Sequence, residues 1–346
     1  MAKGEMTPRE RVLAAIALKK PDRVPIIPIS FTFAAKHTGH KLSELVLDAD
    51  KWVDVQMKCF KEFGYDAVWD ISTTVTVAEA MGASLHVPDD DAPDIFETII
   101  NSPADMKKLK PVNVKKDGRF PYGLEVARKL RAAVGPDVHV IAWVDTPWRE
   151  AHMLRGLAGL MGDIYENPEF VKDLMEPLLE PLINYSQALV EAGADMIRVI
   201  DPAASALLIS RRHFEEFIYP STKKLHQAIK KTGAKVMYHA CGKWHDRLDL
   251  ISDFEADIIW EGIDSLPSVK EAIGSKVCIM GNVKCTETLF DGTPEMVREE
   301  STGLIESFGR DGGFILAGDC NIPRDTPDEN FRAMVDTALQ HSYPKP

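Results

Sequence analysis

No stretch of about 18 uninterrupted apolar residues runs through this sequence, which is what a helix crossing a bilayer needs. The opening residues Met1-Ala2-Lys3-Gly4-Glu5 lack an apolar signal core, so a cytosolic (cytoplasmic) protein with no membrane partner is expected. Basic runs are missing as well. Lysine plus arginine number 41 against 53 aspartate plus glutamate, a net charge of −12, and nucleic acid, which wants a basic face, is not an expected partner. Cysteine is scarce and odd in number: the five residues are 59, 241, 278, 285 and 320. A disulfide framework is therefore not expected, and the thiols read as free or metal-bound. Also absent are a Gly-x-Gly-x-x-Gly turn after a strand, a Gly-Lys-Thr phosphate loop and a Gly-x-Ser-x-Gly elbow, which weakens nucleotide and serine-hydrolase readings.

What is present is an ordinary globular composition, 45% hydrophobic and 27% charged, with no linker, repeat or low-complexity tract to divide the 346 residues. One domain spanning 1–346 is expected. Eight short apolar, β-branched runs recur: Val24–Ile29, Tyr65–Ile71, Val138–Val144, Asp195–Ile200, Lys235–His239, Asp257–Trp260, Val277–Met280 and Phe314–Ala317. Helical patterns lie between most of them, at Trp52–Phe63, Leu124–Ala133, Pro168–Ala192, Arg211–Lys231, Ser265–Ile273 and Pro294–Phe308. Gly64, Gly193, Gly233, Gly274 and Gly309 are placed as left-handed helix ends. Strand–helix alternation repeated eight times predicts an α/β fold, a (β/α)8 TIM-type barrel, with a doubly wound open sheet as the other arrangement. Ser72–Pro136 is too long for one crossover. It predicts an inserted hairpin between strands 2 and 3, from Ser84–Val87 and Ile95–Ile100 around the turn-rich Pro88–Pro93.

In such a barrel the chemistry sits at the C-terminal strand ends. Those ends read Asp70, Trp143-Val144-Asp145, Asp201, His239-Ala240-Cys241, Glu261, Asn282 and Asp319-Cys320. Residues i and i+2 of a strand share a face, so His239 and Cys241 can bracket one ion, and thiolate with imidazole favours zinc. Cys320 can close on the same ion across the mouth, with Glu261 as a displaceable fourth ligand. The plainer reading is that both cysteines are small core residues and the His-x-Cys triplet is chance. Cys59, Cys278 and Cys285 are given structural roles. Asp70, Asp145 and Asp201 either serve the substrate or cap the next helix. Trp69, Trp143, Trp148, Trp244 and Trp260 fall near strand ends, with Phe31 and Phe33 after the first strand; they either line a pocket for an apolar substrate or merely cover the barrel top.

Further segments carry a family likeness: Thr7-Pro8-Arg9-Glu10-Arg11, Pro21-Asp22-Arg23-Val24-Pro25, Thr146-Pro147-Trp148, Ala192-Gly193-Ala194-Asp195 with Asp201-Pro202, Gly281-Asn282-Val283, and Gly312-Gly313-Phe314-Ile315-Leu316 leading to Pro323 and Thr326-Pro327-Asp328-Glu329-Asn330. Over nearly its whole length the chain resembles the uroporphyrinogen decarboxylase superfamily of (β/α)8 barrels. The decarboxylases hold porphyrinogen carboxylates with arginines after the first strand. Here that stretch, Pro28-Ile29-Ser30-Phe31-Thr32-Phe33-Ala34-Ala35, has none, so porphyrinogen decarboxylation is not expected.

The chain looks instead like the corrinoid-dependent methyltransferase branch, which binds zinc through a His-x-Cys pair and a distant Cys, matched by His239, Cys241 and Cys320. That resemblance implies two chemistries. In one, a methyl ether gives its methyl to the Co(I) corrinoid of a separate protein, with Asp201 or Asp319 supplying a proton and Glu261 beside the metal. In the other, zinc activates an acceptor thiol of the coenzyme M type. The aromatic mouth (Phe31, Phe33, Trp143, Trp148, with Asp70 and Asn282) favours the O-demethylase form with an aromatic O-methyl donor. No corrinoid-binding domain and no Asp-x-His-x-x-Gly motif is present, so a separate cobalamin-carrying corrinoid protein is the expected partner, alongside a small methylated substrate. A homodimer is compatible with the sequence, and a member that binds a small molecule without turnover is the non-enzyme alternative.

Overall fold

The computed structural model describes residues 6–341 except 72–74, 263–264 and the side chain of Glu261. The strands are β1 (Ala67–Trp69), β2 (Ser84–His86), β3 (Asp94–Glu97), β4 (His139–Asp145), β5 (Met196–Ile200), β6 (Lys235–Ala240), β7 (Ile258–Glu261), β8 (Cys278–Val283) and β9 (Phe314–Gly318). Seven of them form one parallel sheet in the order β1-β4-β5-β6-β7-β8-β9, and β2 pairs antiparallel with β3 as the inserted hairpin. Strands covered on both faces bury every position, which explains why β5, β8 and β9, buried throughout, read as unbroken apolar runs rather than alternating ones.

The eighth expected strand, Val24–Ile29, is not a regular strand. Pro25 and Pro28 have no N–H to donate, and one bridge, Ile26 to Leu316, is all that remains of the ladder. The segment still holds the eighth position. Leu316 N–H donates to Pro25 O (2.9 Å) and Ile27 N–H to Leu316 O (3.0 Å), while Asp66 N–H, just ahead of β1, donates to Ile26 O (2.9 Å). The two edges of the sheet are thus joined through it, and the curled sheet with its helices has the α/β TIM-type form. Asp66 fixes this seam: its buried carboxylate accepts from Ile26 N (2.8 Å), Arg11 (2.7 Å) and Arg23 (2.8 and 2.9 Å).

The helices follow the expected pattern with two local departures. Asp48 caps Ala49–Phe63 by accepting from Lys51 N (3.1 Å), and Gly64 at φ 79° ends it in a conformation that favours glycine. Within the expected Arg211–Lys231 and Pro294–Phe308, single π turns intervene at Phe214–Ile218 and Ile305–Gly309. Gly274 (φ −66°) and Gly309, inside such a turn, are therefore not left-handed ends. Among the described residues no helix is long and apolar enough to cross a membrane.

Candidate metal centre

β6 carries His239 as its second-last residue, and Cys241 follows one position past its end. Cys320 lies two residues beyond β9. One ligand atom from each, an imidazole nitrogen and two Sγ, fall within 4.8 Å of one another. The strand period puts His239 and Cys241 on one face, and sheet closure brings β9's end round to them. His239 is fully buried, Cys241 half-buried and Cys320 exposed, so the centre opens toward solvent on the cysteine side.

The electrostatics suit a cation. Burial, with the Arg198 guanidinium alongside, drives the His239 imidazole to its neutral, ligating form. Its Nε2 is buried and has no hydrogen-bond partner. Of the two thiols Cys320 gives up its proton more readily, lowered because the Cys241 S–H donates to it and Arg198 faces it; Cys241 is raised by that same bond and by burial. A neutral imidazole with an unclaimed nitrogen, a thiolate and a second thiol form a donor set that fits zinc, leaving a vertex for a further ligand. Glu261 ends β7 with its backbone opposite Ala240, while its side chain lies outside the described residues.

His239 is held by Trp260, whose ring it stacks on at 3.6 Å and 16°, and by Arg198, whose Nη2 lies 2.5 Å from His239 Nδ1. Arg198 was not anticipated from the sequence, although a lone charge in the apolar β5 was the available signal. It is 3% exposed, lies 3.9 Å from the Trp143 ring centre and 4.9 Å from that of Trp260, and burial lowers it to about 9, which keeps it charged at neutral pH. Phe31 stacks on Trp143 (5.6 Å, 29°), and both line an apolar cavity of about 120 Å³ with Leu42, Val46 and Ile71, Asn321 standing at its polar edge. A larger groove, about 640 Å³, lies between the helices Phe120–Val134 and Pro168–Ala192 and includes none of these groups.

The acidic residues separate into distinct settings. Asp201 is fully buried one position past Ile200, the residue paired with His239; Thr146 Oγ1 donates to its Oδ2, its Oδ1 is unpartnered, and burial pushes it up to about 7. Thr146 also accepts from Arg149 N (3.1 Å), so this threonine rather than Asp145 caps Pro147–Arg155. Asp145 accepts from Trp143 Nε1 (3.1 Å) and lies 3.2 Å from Arg149 Nε. Asp319 accepts from Cys285 N (3.1 Å) and sits 3.6 Å from Lys284 Nζ, on the Cys285 side of the rim. Asp70 is buried just after β1, and Asn282 is buried in β8. Trp148 is buried at the head of Pro147–Arg155 with its Nε1 unpartnered. Phe33 is not with Phe31: it stacks on Phe331 at 4.3 Å and meets Phe63. Cys59 and Cys278 are buried outside the cluster, and Cys285 packs beneath it, its Sγ 3.4 Å from Cys320 O.

Fold and site together define a parallel α/β barrel with a sulfur–imidazole cluster on the C-terminal rim. The chain belongs to the uroporphyrinogen decarboxylase (URO-D) family, whose model it matches over residues 7–341. It is 27% identical to a methylcobamide:CoM methyltransferase, MtbA, of Methanosarcina acetivorans, across 98% of this chain and 99% of that one. The methylcobamide:CoM methyltransferase MtaA of Methanosarcina barkeri is also 27% identical (96% and 97%). A uroporphyrinogen decarboxylase of Psychromonas ingrahamii is 25% identical (97% and 98%). Among solved structures, a methyltransferase from Methanosarcina mazei superposes with a TM-score of 0.86 at 26% identity, covering 97% of this chain and 99% of that one.

Proposed function

We propose that this protein is a corrinoid-dependent methyltransferase that takes a methyl group from a small methyl ether, an aromatic O-methyl compound, and passes it to the Co(I) corrinoid of a separate protein. The observation that carries this reading is the convergence of His239, Cys241 and Cys320 at the mouth beside an aromatic-walled cavity. Similarity to methylcobamide:CoM methyltransferases supports it. Zinc held by these three residues, with Glu261 as a candidate fourth ligand, would supply Lewis acidity toward a departing oxygen or hold an acceptor thiol as thiolate. The cavity walls, Phe31 and Trp143, receive the ring; a cavity of about 150 Å³ is known to take benzene, so about 120 Å³ limits the occupant to one small ring. Asp201, protonated in part at neutral pH, delivers a proton to the leaving oxygen as the methyl group goes to the corrinoid. Asp319, committed to Cys285 and Lys284, is the less suitable donor.

A second reading is that the same centre binds an acceptor thiol of the coenzyme M type and demethylates the corrinoid, and the names of the relatives favour it. One experiment separates them. Zinc-loaded protein is mixed with reduced corrinoid protein and a panel of methoxylated aromatics, and the cobalt absorbance is followed. Methylation without thiol supports the first reading, and demethylation of the methylated corrinoid only on thiol addition supports the second. Silence in both directions rejects a methyltransferase.

Asp201 also makes a pH prediction. Its carboxyl keeps its proton in the folded state up to about 7, against an ordinary 3.8, so the wild type loses stability as pH rises through that window. Asp201→Asn removes that slope and, at pH 7, slows methyl transfer by about 100-fold, within the range for a lost general acid. Urea unfolding between pH 4 and 8 and the pH–rate profile check both. A variant with wild-type pH dependence in both would dismiss the role.

A further inference from the structure

Arg198 Nη2 and His239 Nδ1 lie 2.5 Å apart, and a guanidinium has hydrogens to give and no lone pair to accept with. That contact therefore requires Nδ1 to be the bare nitrogen of a neutral ring. It cannot survive metal loading. If the cation takes Nε2, the ring proton moves to Nδ1, and two donors face each other. If the cation takes Nδ1, the electron pair Arg198 was using is consumed. His239 is pinned flat against Trp260 at 3.6 Å, so the guanidinium is the partner that gives way.

A guanidinium released there has few places to go. Its Nε and Nη1 are buried without partners already, and its cationic plane lies over Trp143, the ring that also walls the apolar cavity. Nearby, Asp145 accepts from Trp143 Nε1 and lies 3.2 Å from Arg149 Nε, so that carboxylate already has partners of its own. Once His239 Nδ1 no longer accepts from it, the guanidinium is a cation without a hydrogen-bond acceptor in a dry place, an arrangement that favours an incoming anion.

We infer that metal binding to His239 and its contact with Arg198 exclude each other, so that loading the centre frees the guanidinium to bind the anionic group, carboxylate or sulfonate, of the small molecule in the cavity. Metal and anion then bind cooperatively, each raising the other's affinity by the same factor. This inference rests on the methyltransferase reading for the metal, and on Arg198 for the anion.

The test uses binding rather than turnover. Affinities of the full chain, with and without zinc, are measured by calorimetry for 3-methoxybenzoate, for ethanesulfonate, and for anisole as the uncharged control. Zinc-loaded wild type should hold one of the two anions about 10- to 100-fold tighter than anisole, the scale of a hydrogen bond to a charged group. Which anion wins identifies the head group. Without zinc the preference should collapse, and Arg198→Met should abolish it in the loaded protein, while Arg198→Lys retains part of it at normal zinc content. Equal affinity for charged and neutral probes in loaded wild type, as when the freed guanidinium turns to the unpartnered Asp145 Oδ2, overturns the inference, as does a preference that survives Arg198→Met. The wild-type comparison needs no variant to fold. Metal-dependent anion preference without methyl transfer to any corrinoid would reject the proposed function alone, and the converse would reject this inference alone.

Discussion

Cys320→Ser is expected to lower bound zinc from about one per chain to almost none. Methyl transfer should fall by well over the roughly 10–100-fold that losing a metal ligand's hydrogen-bond partner costs. The reason is chemical rather than steric. The thiol at this position is lowered by the Cys241 S–H it accepts from and gives up its proton to a cation readily, whereas a serine hydroxyl stays protonated and offers a hard oxygen where zinc takes sulfur. Cys320 lies on the exposed rim, so circular dichroism and thermal unfolding without metal should not change. Cys241→Ser should behave alike, and His239→Ala should add a packing cost because its ring is one side of the Trp260 stack. Elemental analysis beside the cobalt assay decides. A variant that keeps both its zinc and its rate would remove these residues from the centre.

Asp66→Asn should cost about 3–5 kcal/mol of stability, the range for breaking a buried ion pair from one side. The carboxylate is fully buried and neutralises both Arg11, itself 7% exposed, and Arg23, 15% exposed, while receiving the Ile26 N–H. An amide leaves Arg23 without its counter-charge and Arg11 with Asp22 alone at the seam that joins the sheet's edges. Urea unfolding should show the loss as a lower midpoint. A change below about 1 kcal/mol, the worth of an exposed pair, would mean that the seam does not depend on this charge.

The strands were legible where burial on both faces writes an unbroken apolar run, as at β4, expected over Val138–Val144 and found at His139–Asp145. The same rule overreached at Val24–Ile29, because apolarity reports burial and not the N–H groups a ladder needs, which Pro25 and Pro28 withhold. The π turns left no mark, since one wider turn barely disturbs a helical pattern. Phe31 and Phe33 were grouped because both follow the first apolar run, Val24–Ile29. In the helix Phe31–His37, residues two apart point about 200° away from each other, so one reaches Trp143 and the other Phe331.

Sequence by itself determined the alternation that makes a parallel barrel and the His-x-Cys spacing that puts two ligands on one face, because both are local periodicities of the chain. Tertiary structure alone decided that the seam closes through Asp66, that Phe31 rather than Phe33 walls the cavity, and that a buried Arg198 lies against His239. Those are contacts between distant segments, and they come into being only when closure of the sheet sets one strand end against another.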